Sequence, residues 1–155
     1  MSDGINLRPY QAADEDAAIE LWRRSWQAAY PDLDFTARLD WWRARWGNEL
    51  VPAATIIVAE AHVAIVGFVT VDPRNGYLDQ LVVAPEAWGS GLAASLMIKA
   101  KELAPAGIEL RVNQDNARAT RFYRKHGFAV VGKSVNQQSG RPTFLMRWQP
   151  KPKAC

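Results

Sequence analysis

The sequence predicts an α/β domain built on a mixed sheet. Three observations predict it. Seven short apolar segments, rich in β-branched residues, alternate with four helical ones in the order β-α-α-β-β-β-α-β-α-β-β. One of the strands, Tyr77 to Val83, is apolar on both faces over most of its length, as a central strand covered on both sides requires. That strand leads through a short loop with glycines at 89 and 91 into an apolar helix. Such a junction aims backbone N–H groups and the positive end of a helix at one point, where a phosphate is held.

Each element has a local cause. Ile5-Asn6-Leu7-Arg8 alternates and reads as a short strand ended by Pro9. Asp14-Glu15-Asp16 puts acids where a helix N-terminus favours them, and Ile19, Trp22, Trp26 and Tyr30 follow at near-helical spacing up to Pro31. A second helix is expected from Thr36 to Trp46, ended by Gly47. Thr55–Ala59 and Ala64–Val71 should form a hairpin, although Ala61-His62-Val63 lacks the Gly or Asn usual in its turn. Asp72 to Gly76 is a strong turn signal before the central strand. The next helix runs from Gly91 to Leu103 and is ended by Pro105 and Gly107. Ile108 to Val112 is a further strand. Asn116 caps a helix from Ala117 to His126, with Gly127 just past its end. Phe128–Gly132 and Thr143–Trp148 close the sheet around a polar loop at 136–140.

Composition bounds the function. A chain of 155 residues with 48% hydrophobic and 23% charged residues suits one globular domain. We place that domain at 1–150, with a short tail at 151–155. The single cysteine, Cys155, excludes a disulfide framework and a cysteine-based metal cluster, and no metal is expected. No run approaches the ~20 apolar residues of a membrane span, and the N-terminus lacks the basic flank and apolar core of a signal. A cytoplasmic location fits. The net charge of +3 includes a cluster at Arg111, Arg118, Arg121, Arg124 and Lys125. It is consistent with an anionic ligand or with a solvated basic face, the blander reading, and no nucleic-acid-binding motif accompanies it.

The glycine loop admits three tenants. A P-loop needs a Lys directly after its last glycine, and none occurs before Lys99. A dinucleotide fingerprint matches Gly89-Ser90-Gly91-Leu92-Ala93-Ala94 by letter. However, the spacer Ala84–Trp88 is too long for its tight turn, and Glu109 opens the next strand instead of closing it. The third tenant is the pyrophosphate of an acyl-CoA. Val83-x-Pro85-x-x-Trp88-Gly89-x-Gly91-x-Ala93 resembles the cofactor motif of the GNAT superfamily of N-acetyltransferases, with Trp88 standing where that motif carries Arg or Gln. Asn116-Ala117 through Phe122-Tyr123 to Gly127-Phe128 is similar to a second signature of the same family. Glu60 to Phe68 resembles its second and third strands, with Val63 in place of a usual Gly.

The resemblance implies a single GNAT-like domain: a mixed, mostly antiparallel sheet of six to seven strands, splayed at its central strands and flanked by about four helices. It implies acetyl-CoA as acyl donor, with pantetheine in the splay. Leu81, Val82 and Val83 would line that splay, and the amides of Trp88, Gly89, Ser90, Gly91, Leu92, Ala93 and Ala94 would hold the pyrophosphate. Asn116 caps its helix whatever else it does, and the resemblance adds a contact to the donor. Tyr123 is either an ordinary half-buried aromatic or, as the resemblance implies, the general acid for the leaving thiolate. A phenol of pKa ~10 and a thiol of ~8.5 are matched well enough for that. An alkylammonium of pKa ~10.4 must also lose a proton. Asp79 is the candidate base, and the alternative is an Asp that anchors a turn or pairs with an Arg. His62 and His126 read as structural.

The acceptor cleft implied by the family lies against the first two helices. Most of Trp22, Trp26, Tyr30, Trp41, Trp42 and Trp46 should pack as core, with one or two lining the site. The expected reaction is acetyl transfer in a ternary complex to a primary amine of a small or amino-acid-like acceptor. A peptide or protein amine (N-terminal or lysine) is the alternative, as is a non-catalytic acyl-CoA-binding regulatory module. A homodimer is left open.

Overall fold

The computed structural model describes residues 4–150. The tail expected at 151–155, with Cys155, lies outside them. Seven strands form one sheet in the order β1-β2-β3-β4-β5-β7-β6. They are β1 (Ile5–Pro9), β2 (Thr55–Ala61), β3 (Ala64–Asp72), β4 (Tyr77–Val83), β5 (Ile108–Asn113), β6 (Ala129–Val135) and β7 (Pro142–Trp148). All neighbours are antiparallel except β4 and β5. That one parallel pair has a single register contact, Tyr77 with Glu109. Beyond it the strands part, and Asp79 to Val83 have no ladder partner on β5. This is the expected splay.

The helices are α1 (Glu15–Ala29), α2 (Leu39–Arg45), a single turn α3 (Val51–Ala53), α4 (Leu92–Leu103) and α5 (Ala117–Lys125). They cover the two faces of the sheet, and strand alternation divides the core accordingly. Ile57 and Ala59 of β2 pack in the core that holds Leu92, Leu96 and Met97 of α4. Ile56 and Val58 pack in the core that holds Trp22, Trp42 and Trp46. In the second core the Trp22 and Trp42 rings stack with centroids 4.6 Å apart, and Trp46 meets Phe68 edge-on at 5.1 Å.

Two local expectations need correction, and one open turn geometry is now defined. Gly47 does not end the second helix. After a short 3-10 turn (Thr36–Arg38) and α2, a π-helical turn runs over Trp46–Leu50 and continues into α3. A glycine inside a helix costs about 1 kcal/mol. Here Trp46 and Leu50, both buried on the same side, outweigh it, at about 1.5–3 kcal/mol for each large apolar side chain removed from water. Phe128 lies outside β6, which extends instead to Val135. Its ring is buried in the core beside α5. The β2–β3 turn has two residues, His62 and Val63, both at positive φ (50° and 62°). A type I′ turn demands that pattern, and neither residue favours it.

Candidate active site

A cleft of about 540 Å³ opens where β4 leaves β5. Its walls are Leu81, Val82 and Val83 of β4, the glycine loop, α5 from Asn116 to His126, and Ser25, Trp26 and Ala29 of α1. The structure therefore brings together nearly all the residues expected to hold the donor.

The glycine loop begins with a 3-10 turn (Pro85–Ala87). Gly89 and Gly91 then take φ of +80° and +90°, a conformation that L side chains adopt only at a cost. A Cβ at either glycine would meet no atom within 4 Å, so both stand against open space. Not every amide expected to hold the pyrophosphate is available. Trp88 N–H donates to Pro85 O at 3.2 Å, Ser90 N–H to Ala87 O at 3.2 Å, and Leu92 N–H to Ser90 Oγ at 3.3 Å. Among the described residues, the amides of Gly89, Gly91, Ala93 and Ala94 have no acceptor. Four unfilled donors at the start of α4, beside open space, fit a bound anion.

The β4 backbone is likewise partly committed. Val83 C=O accepts from buried Ser25 Oγ and from Trp88 Nε1, both at 2.9 Å. Of the three residues expected to pair with pantetheine, Val83 thus contributes its side chain and has no carbonyl to spare. The same bond fixes the Trp88 indole against the end of β4. The Arg118 guanidinium lies over that indole, 3.9 Å from the ring centroid.

Tyr123 projects from α5 into the cleft. Its ring packs against Phe122 and Phe128, with centroids 5.5 and 5.7 Å away. Protein surrounds the hydroxyl except on the cleft side, and this burial raises its pKa well above the ordinary phenol value. The group is therefore protonated at neutral pH but is a weaker acid than the free phenol matched to the thiol above, so as a proton donor it acts only once charge develops on the sulfur beside it. Asn116 Oδ1 accepts from Ala119 N–H at 3.1 Å, the expected cap, and Asn116 also borders the cleft.

Asp79 is placed otherwise than a base should be. The register shifts between β3 and β4 so that Thr70 faces Gln80 while Val71 faces Leu78. Asp79 is the extra residue of the bulge, which re-aims its side chain. The carboxylate is held by both terminal nitrogens of Arg45, one at 2.9 Å, and by Gln80 Nε2 at 3.0 Å. It does not line the cleft. The ion pair with an arginine, the alternative reading of this residue, is what the fold contains.

On the α1 face a polar bridge spans the gap between α1 and β5. Tyr30 O–H donates to Asp115 Oδ1 at 2.8 Å and accepts from Asn113 Nδ2 at 3.1 Å. Arg141, from the β6–β7 loop, donates to Asp115 Oδ2 at 2.7 Å. Of the six aromatics expected here, Trp22, Trp42 and Trp46 are core, Trp41 is exposed, and Trp26 reaches the cleft with Tyr30 stacked beside it at 5.8 Å.

Sequence reasoning missed one contribution to the cleft and left another open. Ser25 sits inside the apolar stripe of α1, a position whose polarity was the signal. For Arg118, Arg121 and Lys125 the blander reading, a solvated face, gives way to the anionic-ligand one: their spacing puts them on one side of α5, and that side is the cleft wall.

A seven-stranded sheet that splays beside an anion-ready loop is the arrangement that the resemblance implied for an acyl-CoA-dependent transferase. Comparison with known proteins supplies the family. Residues 15–128 match the model of the acetyltransferase (GNAT) family, and the chain belongs to that family. It is accordingly an N-acetyltransferase with acetyl-CoA as its donor substrate. The chain is 31% identical over 143 residues to the peptidyl-lysine N-acetyltransferase YjaB of Salmonella typhimurium, covering 92% of this chain and 95% of that protein. It is 30% identical to a mycothiol acetyltransferase of Kineococcus radiotolerans, covering 90% of this chain and 48% of that one. The solution structure of apo YjaB from Escherichia coli superposes with a TM-score of 0.76 at 27% identity, covering 93% of this chain and 97% of that chain. The PaiA N-acetyltransferase of Thermoplasma acidophilum, solved with coenzyme A, shares the fold at a TM-score of 0.76 and 20% identity, covering 97% of this chain and all (100%) of that one.

Proposed function

We propose that the chain transfers the acetyl group of acetyl-CoA directly to a primary amine of a small or amino-acid-like acceptor, both substrates being bound together. The observation that carries this reading is the splay. It opens a cleft whose walls carry both the anion-ready loop and Trp26 and Tyr123.

The residues divide the work. The amides of Gly89, Gly91, Ala93 and Ala94 hold the pyrophosphate. Leu81 and Val82 line the pantetheine path, and Asn116 borders it. The acceptor nitrogen attacks the acetyl carbonyl carbon, the C–S bond breaks, and the Tyr123 hydroxyl gives its proton to the departing sulfur. Among the described residues no carboxylate lines the cleft, and Asp79 is committed to Arg45. The acceptor ammonium must shed its proton before it attacks, and transfer speeds up with pH along the acceptor's own titration. The bridge of Tyr30, Asp115 and Arg141 crosses the acceptor side and supports a slender acceptor.

A lysine side chain of a peptide is the second reading, favoured by the names of the YjaB relatives. Thiol release from acetyl-CoA across amines, amino acids, aminoglycosides and lysine peptides separates the two. Turnover with free amines supports the first, and turnover with peptides alone replaces it by the second. No release with any acceptor, despite donor binding, means a non-catalytic acyl-CoA module.

A further inference from the structure

The glycine loop offers amides to a pyrophosphate but no side-chain cation of its own. From Pro85 to Ala94 it carries no Lys or Arg, and its one charged residue, Glu86, is paired with Arg24. Position 88 holds an indole whose only N–H is spent on Val83 C=O. A doubly charged pyrophosphate bound here would meet dipoles alone unless a cation reaches it from another element.

One does. Arg118 leaves the first turn of α5 and lays its guanidinium on the Trp88 ring, 3.9 Å from the centroid. Trp88 directly precedes Gly89, so the stack sets a full positive charge beside the four unfilled amides. Two further facts mark this guanidinium as waiting for an anion. First, the arginines at 8, 23, 24, 43, 45, 74, 141 and 147 each have a carboxylate partner, and of the others, at 38, 111, 118, 121 and 124, Arg118 alone lies over the indole of the glycine loop. Among the described residues Arg118 has neither a carboxylate nor a hydrogen-bond acceptor, although it faces a cleft where partial desolvation disfavours its charge. Second, stacking uses the face of the guanidinium and leaves its edge, which carries all five N–H donors, open for a bidentate contact. Arg121 and Lys125 lie one and two turns farther along α5, and neither stacks on the loop.

We propose that Arg118, braced on Trp88, is the side-chain clamp for the acetyl-CoA pyrophosphate, delivered from α5 because the loop itself holds an indole at position 88. This rests on the donor-site reading above and adds a specificity-determining residue to it. Trp88 is a positioning residue in this scheme: it orients the fork and touches no phosphate through its N–H.

The test is a binding experiment on the full chain by calorimetry, with three donors: acetyl-CoA, acetyl-3′-dephospho-CoA and S-acetylpantetheine. Arg118→Gln should weaken the first two equally, by about tenfold or more, the loss expected for a charge-assisted contact. It should leave S-acetylpantetheine, which has no phosphate, unchanged. Arg118→Lys should recover part of the loss, since it keeps the charge but not the planar fork. A loss seen with acetyl-CoA but absent with the dephospho donor would overturn the proposal and assign the guanidinium to the ribose phosphate. A lower Tm of the free protein with donor affinities unchanged would also overturn it, leaving the stack a purely structural contact. Failure of the unmodified chain to bind acetyl-CoA is a separate result and would sink the donor-site reading itself.

Discussion

Replacing Gly91 by Ala separates what the loop does for folding from what it does for the donor. Gly91 caps α4 at φ +90° and ψ −3°. An L side chain in this left-handed region costs about 1–2 kcal/mol. No clash adds to that, because a Cβ there meets nothing within 4 Å. In a chain of 155 residues, an unfolding entropy of about 2.1 cal/mol/K per residue converts this into a fall in Tm of roughly 3–6 °C. Donor binding should suffer more. Relieving φ turns the Gly91 amide and shifts the start of α4, and each charge-assisted hydrogen bond lost is about 1.5–3 kcal/mol, or roughly ten- to a hundredfold in Kd. Gly76→Ala is the control. Its φ of +75° is similar, but a Cβ would stand 2.2 Å from the Gly107 carbonyl oxygen, and Gly76 does not line the cleft. It should lower Tm more than Gly91→Ala while the folded fraction binds donor normally. Calorimetry with acetyl-CoA and thermal melts of both variants make the comparison. A Gly91→Ala protein whose Kd stays within about twofold would refute the link between the strained cap and phosphate binding.

Three other predictions address the remaining groups. Tyr123→Phe should lower kcat by about a hundredfold or more with the acetyl-CoA Kd unaltered, read by thiol release; an undiminished kcat would remove Tyr123 from the chemistry. Asp79→Asn should destabilise the fold by about 1–3 kcal/mol, because half-buried Arg45 loses its partner, while the pH profile of kcat/KM keeps its shape. An acidic limb that moved would restore Asp79 as the base. Asp14 is held by Arg8 at 2.9 Å through two hydrogen bonds and by the Gln11 amide at 2.8 Å, and Arg8 above all keeps its pKa below the ordinary value. Its contribution is therefore complete above the unfolded-state pKa of about 3.9 and disappears as pH falls through the lower folded value. Urea melts of Asp14→Asn should lie below the parent at neutral pH and converge with it in strong acid. A gap that persisted there would mean the carboxylate's charge is not what matters.

The parts of the molecule written in local pattern were legible. The βα junction at Val83–Leu92, the Asn116 cap and the division of strands from helices follow from periodicity and turn chemistry within a few residues. Pairings made across the sheet were not. Asp79 and Arg45 are 34 positions apart, and nothing near either residue announces the other; the bulge that aims the carboxylate arises from a mismatch between two strands. Arg118 was visible as a charge, but its meaning required knowing that α5 flanks the cleft. Gly47 misled because burial of Trp46 and Leu50, a tertiary term, overrode a local helix-stop signal. The His62–Val63 turn shows the reverse, a strained local geometry imposed by the register of β2 on β3.

The single rung between β4 and β5 has a consequence beyond catalysis. It divides the sheet into a four-stranded and a three-stranded half, each ending on an inner margin of unsatisfied peptide groups. Exposed margins of this kind recruit foreign chains, and proteins ordinarily blunt them with charge, proline or a covering element. Along Leu81 and Val82 neither charge nor proline is present, while the Val83 carbonyl is already covered by Ser25 and the Trp88 indole. On the proposed donor path the donor's own amides would cover this margin, and the substrate would double as a protective strand. Starvation for acetyl-CoA should therefore leave this polypeptide more prone to self-association, coupling its solubility to the metabolic supply it consumes.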